Sequence, residues 1–160
     1  QPAMYYAIHE GTFELPDAAL DRTVNMLILP IGTGGLSLVV SRGRLRDAES
    51  IDAFVDREWE LASRTAKDLT LQTQRSVTVG RPECPGVQTE STHEQDGRTF
   101  HQHQTAFQLD AGGQVIVMTL TSAAPLTDEQ RALANRMLES FEPRPHGPAA
   151  PSLVSDSHRP

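Results

Sequence analysis

The segment between residues 86 and 122 carries the clearest structural pattern in the chain. It reads GVQTESTHEQDGRTFHQHQTAFQLDAGGQVIVMTLTS, and three parts of it alternate with a period of two residues: Gly86–Glu94, Thr99–Leu109 and Val115–Ser122. That period is typical of β-strands, because successive side chains of a strand point to opposite faces of the sheet. Asp96–Gly97 and Asp110–Gly113 separate the three parts, and short loops that contain glycine join antiparallel strands.

Outward from this segment, further strands and two helices are predicted. The same alternation occurs in Thr23–Leu29, Leu36–Ser41 and Gln72–Val79, and Tyr5–Leu15 contributes one or two more strands. Residues 50–67 and 128–141 place apolar residues three and four apart, which predicts helices, with Thr127–Gln130 as a capping box before the second. The sequence therefore predicts an α+β fold, a curved antiparallel sheet of about six or seven strands with two packed helices.

Composition narrows the class of protein. The chain has 160 residues and a net charge of -7, and this negative charge argues against a nucleic-acid binder. Its single cysteine excludes an internal disulfide. No apolar run approaches the roughly 20 residues of a membrane-spanning helix, and no signal peptide is recognised. We expect a cytoplasmic protein with one domain at 4–142, a vector-derived remnant at 1–3 and a disordered, proline-rich tail at 143–160.

Candidates for catalysis and metal binding are few. His101 and His103 share one face of a predicted strand, and His93 lies across the predicted hairpin as a third candidate ligand. Cys84 lies in a predicted turn, Pro82–Gly86, without a neighbouring base that would activate it. We therefore predict no catalytic residues, no metal and no cofactor; the alternative is a His-dependent metal-binding enzyme or small-ligand carrier on the same sheet.

Both faces of the predicted sheet carry apolar residues. Leu38 and Val40 lie on one face of their strand, whereas Ser37, Val39 and Ser41 lie on the other. The helices can bury one face, so the second face, a mixture of apolar, hydroxyl and amide side chains, needs a different partner. Two interpretations are open: loops or a dimer partner cover this face, or it forms a groove for an amphipathic or apolar segment.

Two parts of the sequence resemble a known family. Tyr6–Asp17 followed by Asp21–Pro30, together with the strand Ser37–Arg42 (SLVVSR), resembles the Eag (effector-associated) chaperones of bacterial type VI secretion, in the DcrB-like family. The later strands and the final helix also follow the family's order, so that the resemblance covers residues 4–142.

This resemblance implies a homodimeric, non-enzymatic chaperone. Its members bind the N-terminal transmembrane helices of PAAR-containing effectors, often Rhs-type toxins, in the cytoplasm and help load the effector on the secretion spike. The positions that the resemblance assigns to effector-helix binding are Val24, Met26, Ser37, Ser41 and Gln104. Strand alternation adds Val39 and Gln102 to that surface. Where the family tends to have a glutamine on the first helix, this sequence has Glu58.

Overall fold

Two separate units make up the described part of the chain. The computed structural model describes residues 4–8, 11–15, 24–29 and 36–144, with the backbone alone in the first two ranges. In the first unit, β1 (Met4–Ile8) and β2 (Gly11–Leu15) form an antiparallel hairpin, which confirms strands in this region. Residues 1–3 lie outside the described residues, as does the predicted tail beyond Arg144.

The second unit is an open antiparallel sheet with two helices, as the sequence predicts. Its sheet has six strands in the order β3-β4-β8-β7-β6-β5, so that β3 and β5 are the edges. Its elements are β3 (Asn25–Leu29), β4 (Leu36–Arg44), α1 (Ile51–Ser63), β5 (Lys67–Val79), β6 (Cys84–Gln95), β7 (Arg98–Gln108), β8 (Gln114–Ser122) and α2 (Asp128–Glu139).

The two helices pack on opposite faces of this sheet. Neighbouring residues of β7 show the division, because Ala106 packs with Phe54 and Val55 of α1, whereas Phe107 packs with Leu138 of α2. A strand sends adjacent side chains to opposite faces. We call these surfaces the α1 face and the α2 face. The α2 face contains the larger core, since two clusters of buried residues meet that helix.

Both helix starts follow the predicted capping signals. The Ser50 side chain accepts a hydrogen bond from the Ala53 amide at the start of α1. At α2, the side chain of Thr127 accepts from the Gln130 amide while the Gln130 side chain accepts from the Thr127 amide. These bonds satisfy backbone donors that have no partner within a helix, so both starts are fixed locally.

Several predicted boundaries are wrong. The strand predicted at Gln72–Val79 begins five residues earlier, at Lys67, and the strand predicted at Leu36–Ser41 continues to Arg44. The first helix ends at Ser63 rather than residue 67, because the amides of Thr65 and Ala66 both bond the Ala62 carbonyl and close a turn before β5 begins. Cys84 is not in a turn: it is buried as the first residue of β6. The turn falls earlier because Gly80 supplies a positive φ of 82°, and a Cβ there would lie 2.5 Å from the Phe141 carbonyl oxygen.

Polar side chains form a partly buried network between the sheet and α2. Arg75 donates two hydrogen bonds to Oε1 of Gln88, whose Nε2 donates to the Thr105 hydroxyl over 3.1 Å. Beside them, Arg131 of α2 and Glu90 of β6 form an ion pair of 3.0 Å, and the buried His103 is the cross-strand partner of Glu90. Burial lowers the pKa of His103, and the positive charges of Arg75 and Arg131 act in the same direction, against the carboxylate of Glu90.

We expect the protein to lose stability on mild acidification because of His103. The unfolded chain takes up a proton near the ordinary histidine pKa of about 6.5, whereas the folded chain resists it to lower pH. The free energy of unfolding should therefore fall as the pH drops below about 6.5, towards the lowered pKa of the folded state. Urea unfolding at about pH 7.5 and about pH 5.5 measures this loss.

A pair of variants isolates this effect. His103→Leu should reduce the loss on acidification, because the ionisable group is gone from the buried site. His101→Leu is the matched control, since His101 lies two residues along the same strand and is only half-buried. The assignment to His103 is wrong if His103→Leu retains the full acid dependence of the wild type.

Candidate functional site

The α1 face is only partly covered by its helix. Buried residues of α1 pack against Val87, Ala106 and Val115, which lie towards one end of the face. Beyond this contact, two rows of side chains run across the strands. In the first row, Ile28, Ser37, Thr121, Gln102 and Ser91 lie side by side on β3, β4, β8, β7 and β6. In the second row, the corresponding residues are Met26, Val39, Thr119, Gln104 and Thr89.

This part of the α1 face, beyond the contact with α1 in the described residues, contains nearly all of the predicted binding residues. We call it the open face and define it by these residues: Met26, Ile28, Ser37, Val39, Ser41, Gln102, Gln104, Thr119 and Thr121. Those of β4, β7 and β8 are half-buried, with strands on either side of them. Val24, the remaining predicted residue, directly precedes β3 and is exposed. The register thus brings together residues from three predicted strands that are far apart in sequence.

Apolar side chains are most exposed at the β3 edge of the open face. Met26 is 70% exposed and Ile28 is 71% exposed, although a methionine and an isoleucine gain free energy from burial. On the other side of the same strand, Leu27 is also exposed. Single exposed apolar residues are ordinary, but consecutive ones at a sheet edge mark a surface that a partner can cover.

The centre of the open face is polar and its geometry is fixed. The Gln104 amide group donates from Nε2 to Oγ1 of Thr119 over 3.1 Å, which joins β7 to β8 through side chains. This bond fixes the orientation of the amide, and Oε1 of Gln104 can still accept a hydrogen bond. Thr121 of β8 adds a hydroxyl group on the same face, and Ser37 and Ser41 add two more on β4, one strand further away. The face can therefore combine apolar contact with directed hydrogen bonds.

A recess of about 260 Å³ lies where α1 approaches the open face. Phe54, Glu58, Trp59 and Ala62 line it from the helix, all on one stripe at spacings of three and four residues. The sheet contributes the following lining residues: Ser41, Arg42, Gly43, Leu69, Thr89, Ser91, Gln102, Gln104, Ala106 and Val117. Glu58 thus faces this recess while remaining half-exposed, and it forms an ion pair of 3.4 Å with Arg57.

The three candidate histidines do not come together. The two-residue turn at Asp96–Gly97 pairs His93 with Phe100, and their rings stack with centroids 5.7 Å apart. His93 is therefore on the α1 face, whereas His101 and His103 are on the α2 face. Within the part of the chain that the structure describes, no three His, Cys, Asp or Glu residues are grouped to hold a metal. Burial also raises the pKa of the Cys84 thiol, which disfavours the reactive thiolate.

The fold and its open face define a class of protein: a small α+β domain with an open antiparallel sheet, one face of which is only partly covered. The chain belongs to the DcrB family, whose family model matches residues 10–140.

A solved structure shares this fold. The crystal structure of PA94 from Pseudomonas aeruginosa, a protein of unknown function, is 21% identical in sequence and superposes with a TM-score of 0.66. The alignment covers 90% of this chain and 99% of that protein, so the two share a fold over nearly their whole length. No curated protein matches the chain. Neither described helix has the length and hydropathy to span a bilayer.

Proposed function

We propose that this DcrB-family protein is a chaperone for membrane-seeking helices. In this proposal it binds and shields the N-terminal transmembrane helices of a PAAR/Rhs-type effector of type VI secretion in the cytoplasm, and helps load the effector on the secretion spike. The observation that carries the proposal is the open face, which has a polar centre and, at the β3 edge, the exposed apolar side chains of Met26 and Ile28. The resemblance of Tyr6–Pro30 and Ser37–Arg42 to the Eag chaperones supports the identity of the client.

The dimensions of the open face suit part of a single apolar helix. Its four strands, β3, β4, β8 and β7, span about 14 Å at a spacing of about 4.8 Å, whereas a membrane-spanning helix of about 20 residues is about 30 Å long. A helix that crosses these strands would therefore contact the open face along about half of its length. Each Å² of apolar surface that it buries contributes about 25 cal/mol, which favours binding over aggregation in water.

The polar centre also has a physical role in this proposal. Helices within a membrane associate through small residues and through hydrogen bonds of serine, threonine and glutamine side chains. Ser37, Ser41 and Gln104 offer the same groups and can replace a neighbouring helix of the client. Met26 has a flexible, polarisable side chain that adapts to helices of different shape. Binding of this kind needs no cofactor, and a second copy of the chain would enclose a client from the other side.

Co-expression with a client tests the proposal. The effector encoded beside this chain, or another PAAR effector with apolar N-terminal helices, should give a soluble complex through its N-terminal region. Ser41→Arg or Gln104→Glu should weaken that complex at least about tenfold, because each places a charge against an apolar helix. Affinity chromatography with a tag on the client measures the complex, and circular dichroism checks that the variants are folded.

Matched substitutions elsewhere on the chain are the controls. Ser140→Arg changes an exposed residue at the C-terminal end of α2, which is on the opposite side of the sheet. Gln95→Glu changes an exposed residue at the tip of the β6–β7 hairpin. Both introduce the same charges without altering the open face, so both should bind the client like the wild type. Full binding by Ser41→Arg and Gln104→Glu together would overturn the assignment of this surface.

A further inference from the structure

The recess beneath α1 has a composition that differs from the rest of the open face. Its helix wall is aromatic, with Phe54 and Trp59, and Ala106 and Val117 extend the apolar lining across the sheet. Its remaining side is formed by amide and hydroxyl side chains of β4, β6 and β7, together with Arg42, Gly43 and Leu69. A ligand group that fits this site must therefore have a large apolar body and at least one polar atom.

Two hydrogen-bond acceptors at the recess can pair with a donor on such a ligand group. Nε2 of Gln104 is engaged by Thr119, so Oε1 is the part of this amide that remains to accept a bond. Across the recess, the carboxylate of Glu58 is also an acceptor, and half of this side chain is exposed. Arg42 also lines the recess, and one of its N–H groups donates to Asn25 over 2.9 Å. A ligand group with a hydrogen-bond donor can pair with Gln104 or with Glu58.

The volume limits the size of the group. An engineered cavity of about 150 Å³, left by one large apolar side chain, holds a benzene molecule. The recess, at about 260 Å³, is larger than that cavity and far too small for a turn of helix. A bicyclic indole suits this space, and its N–H is a donor without acceptor capacity. A lysine side chain would also donate, but it has no flat ring to pack against Phe54 and Trp59.

We propose that the recess is an anchor site for one tryptophan side chain of the client helix. The client in this inference rests on the proposed function, whereas the indole site rests on the recess alone. The indole ring packs between the aromatic wall of α1 and Ala106, and its N–H donates to Oε1 of Gln104 or to Glu58. Membrane-spanning helices carry tryptophan near their ends, at the membrane–water interface. The anchored residue therefore places one end of the client helix at α1 and directs the rest across the open face towards β3.

A small probe tests the indole site without any client. Because Trp59 is the single tryptophan of the chain, protein labelled with 5-fluorotryptophan gives one fluorine NMR signal from the wall of the recess. N-acetyltryptophanamide should shift this signal in a saturable manner at millimolar concentration. N-acetylleucinamide should bind at least about fivefold more weakly, since it lacks the aromatic contacts and the indole donor.

Two variants locate the binding. Ala62→Trp places a ring into the recess and should abolish binding of N-acetyltryptophanamide. Because this variant contains a second tryptophan, binding to it is measured by the NMR shift of the Gln104 side-chain amide. Ala53→Trp adds the same ring to an exposed position of α1 that does not line the recess, and it should retain binding. The indole site is overturned if the probe causes no saturable shift, or if Ala62→Trp binds it like the wild type.

Replacing tryptophan in the client separates this inference from the proposed function. In the co-expressed complex, changing the client's terminal tryptophan to leucine should weaken binding about tenfold, and Ala62→Trp should remove that difference. A complex that is insensitive to both changes leaves the chaperone function standing and overturns the anchor. Conversely, if N-acetyltryptophanamide binds but no client forms a complex, the indole site is supported and the chaperone function is overturned.

Discussion

Phe107→Ala is expected to lower the free energy of unfolding by about 3–5 kcal/mol, the range for truncation of a buried phenylalanine. Phe107 is fully buried on the α2 face, where it packs with Ile116 and Leu138. Its ring meets Phe141 edge-on, with centroids 4.9 Å apart and planes at 66°. The variant therefore loses apolar burial and an aromatic pair and leaves a cavity where α2 rests on the sheet. Urea unfolding followed by circular dichroism measures the change.

The neighbouring hairpin provides a control for this effect. Phe100 is half-buried near the tip of the β6–β7 hairpin, and it stacks on His93 rather than on the core. Phe100→Ala should cost less than about 1.5 kcal/mol, because the burial of its ring is incomplete in the folded state. Similar losses for Phe100→Ala and Phe107→Ala would contradict the position assigned to the core.

Replacing both Met26 and Ile28 with aspartate is expected to reduce client binding at least about 100-fold. Both side chains are exposed at the β3 edge of the open face, so their replacement removes little buried surface from the folded protein. In a complex, each carboxylate would face an apolar helix and lose its hydration, at a cost of about 2–3 kcal/mol. Isothermal calorimetry with a solubilised client segment measures the loss, and the melting temperature should change little.

Leu61→Asp is the matched control for that double variant. Leu61 is 47% exposed, but it lies on α1 outside both the recess and the open face. The new carboxylate should leave client binding within about twofold of the wild type, as expected for a surface change away from the contact. Equal weakening by Leu61→Asp and by the double variant would show that net charge, rather than the open face, controls binding.

Most of the sheet could be predicted because its strands alternate clearly. The alternation in Phe100–Ala106 placed Gln102 and Gln104 on one face, and the register confirms this arrangement. The position of His93 could also have been predicted, since a two-residue turn at Asp96–Gly97 fixes Gln95 opposite Arg98. The error arose from treating proximity across a hairpin as if it implied a shared face.

Other features could not be predicted from local patterns. The helical spacing continued through Ala66, but the turn that closes on the Ala62 carbonyl ends α1 before β5. The recess depends on how far α1 lies from the sheet, which is set by packing of Phe54 and Val55 rather than by sequence spacing. The only sequence signal for it is Glu58, a charged residue on the stripe that faces the sheet.

Photocrosslinking from adjacent residues of β7 tests the role of the open face. Gln102 and His101 are both half-buried, but Gln102 lies on the open face and His101 on the α2 face. A benzophenone amino acid at each position, in protein bound to a client's apolar N-terminal segment, should crosslink the client from position 102 and not from position 101. Crosslinking that is equal from the two positions, or stronger from 101, would contradict binding of the client helix on this face.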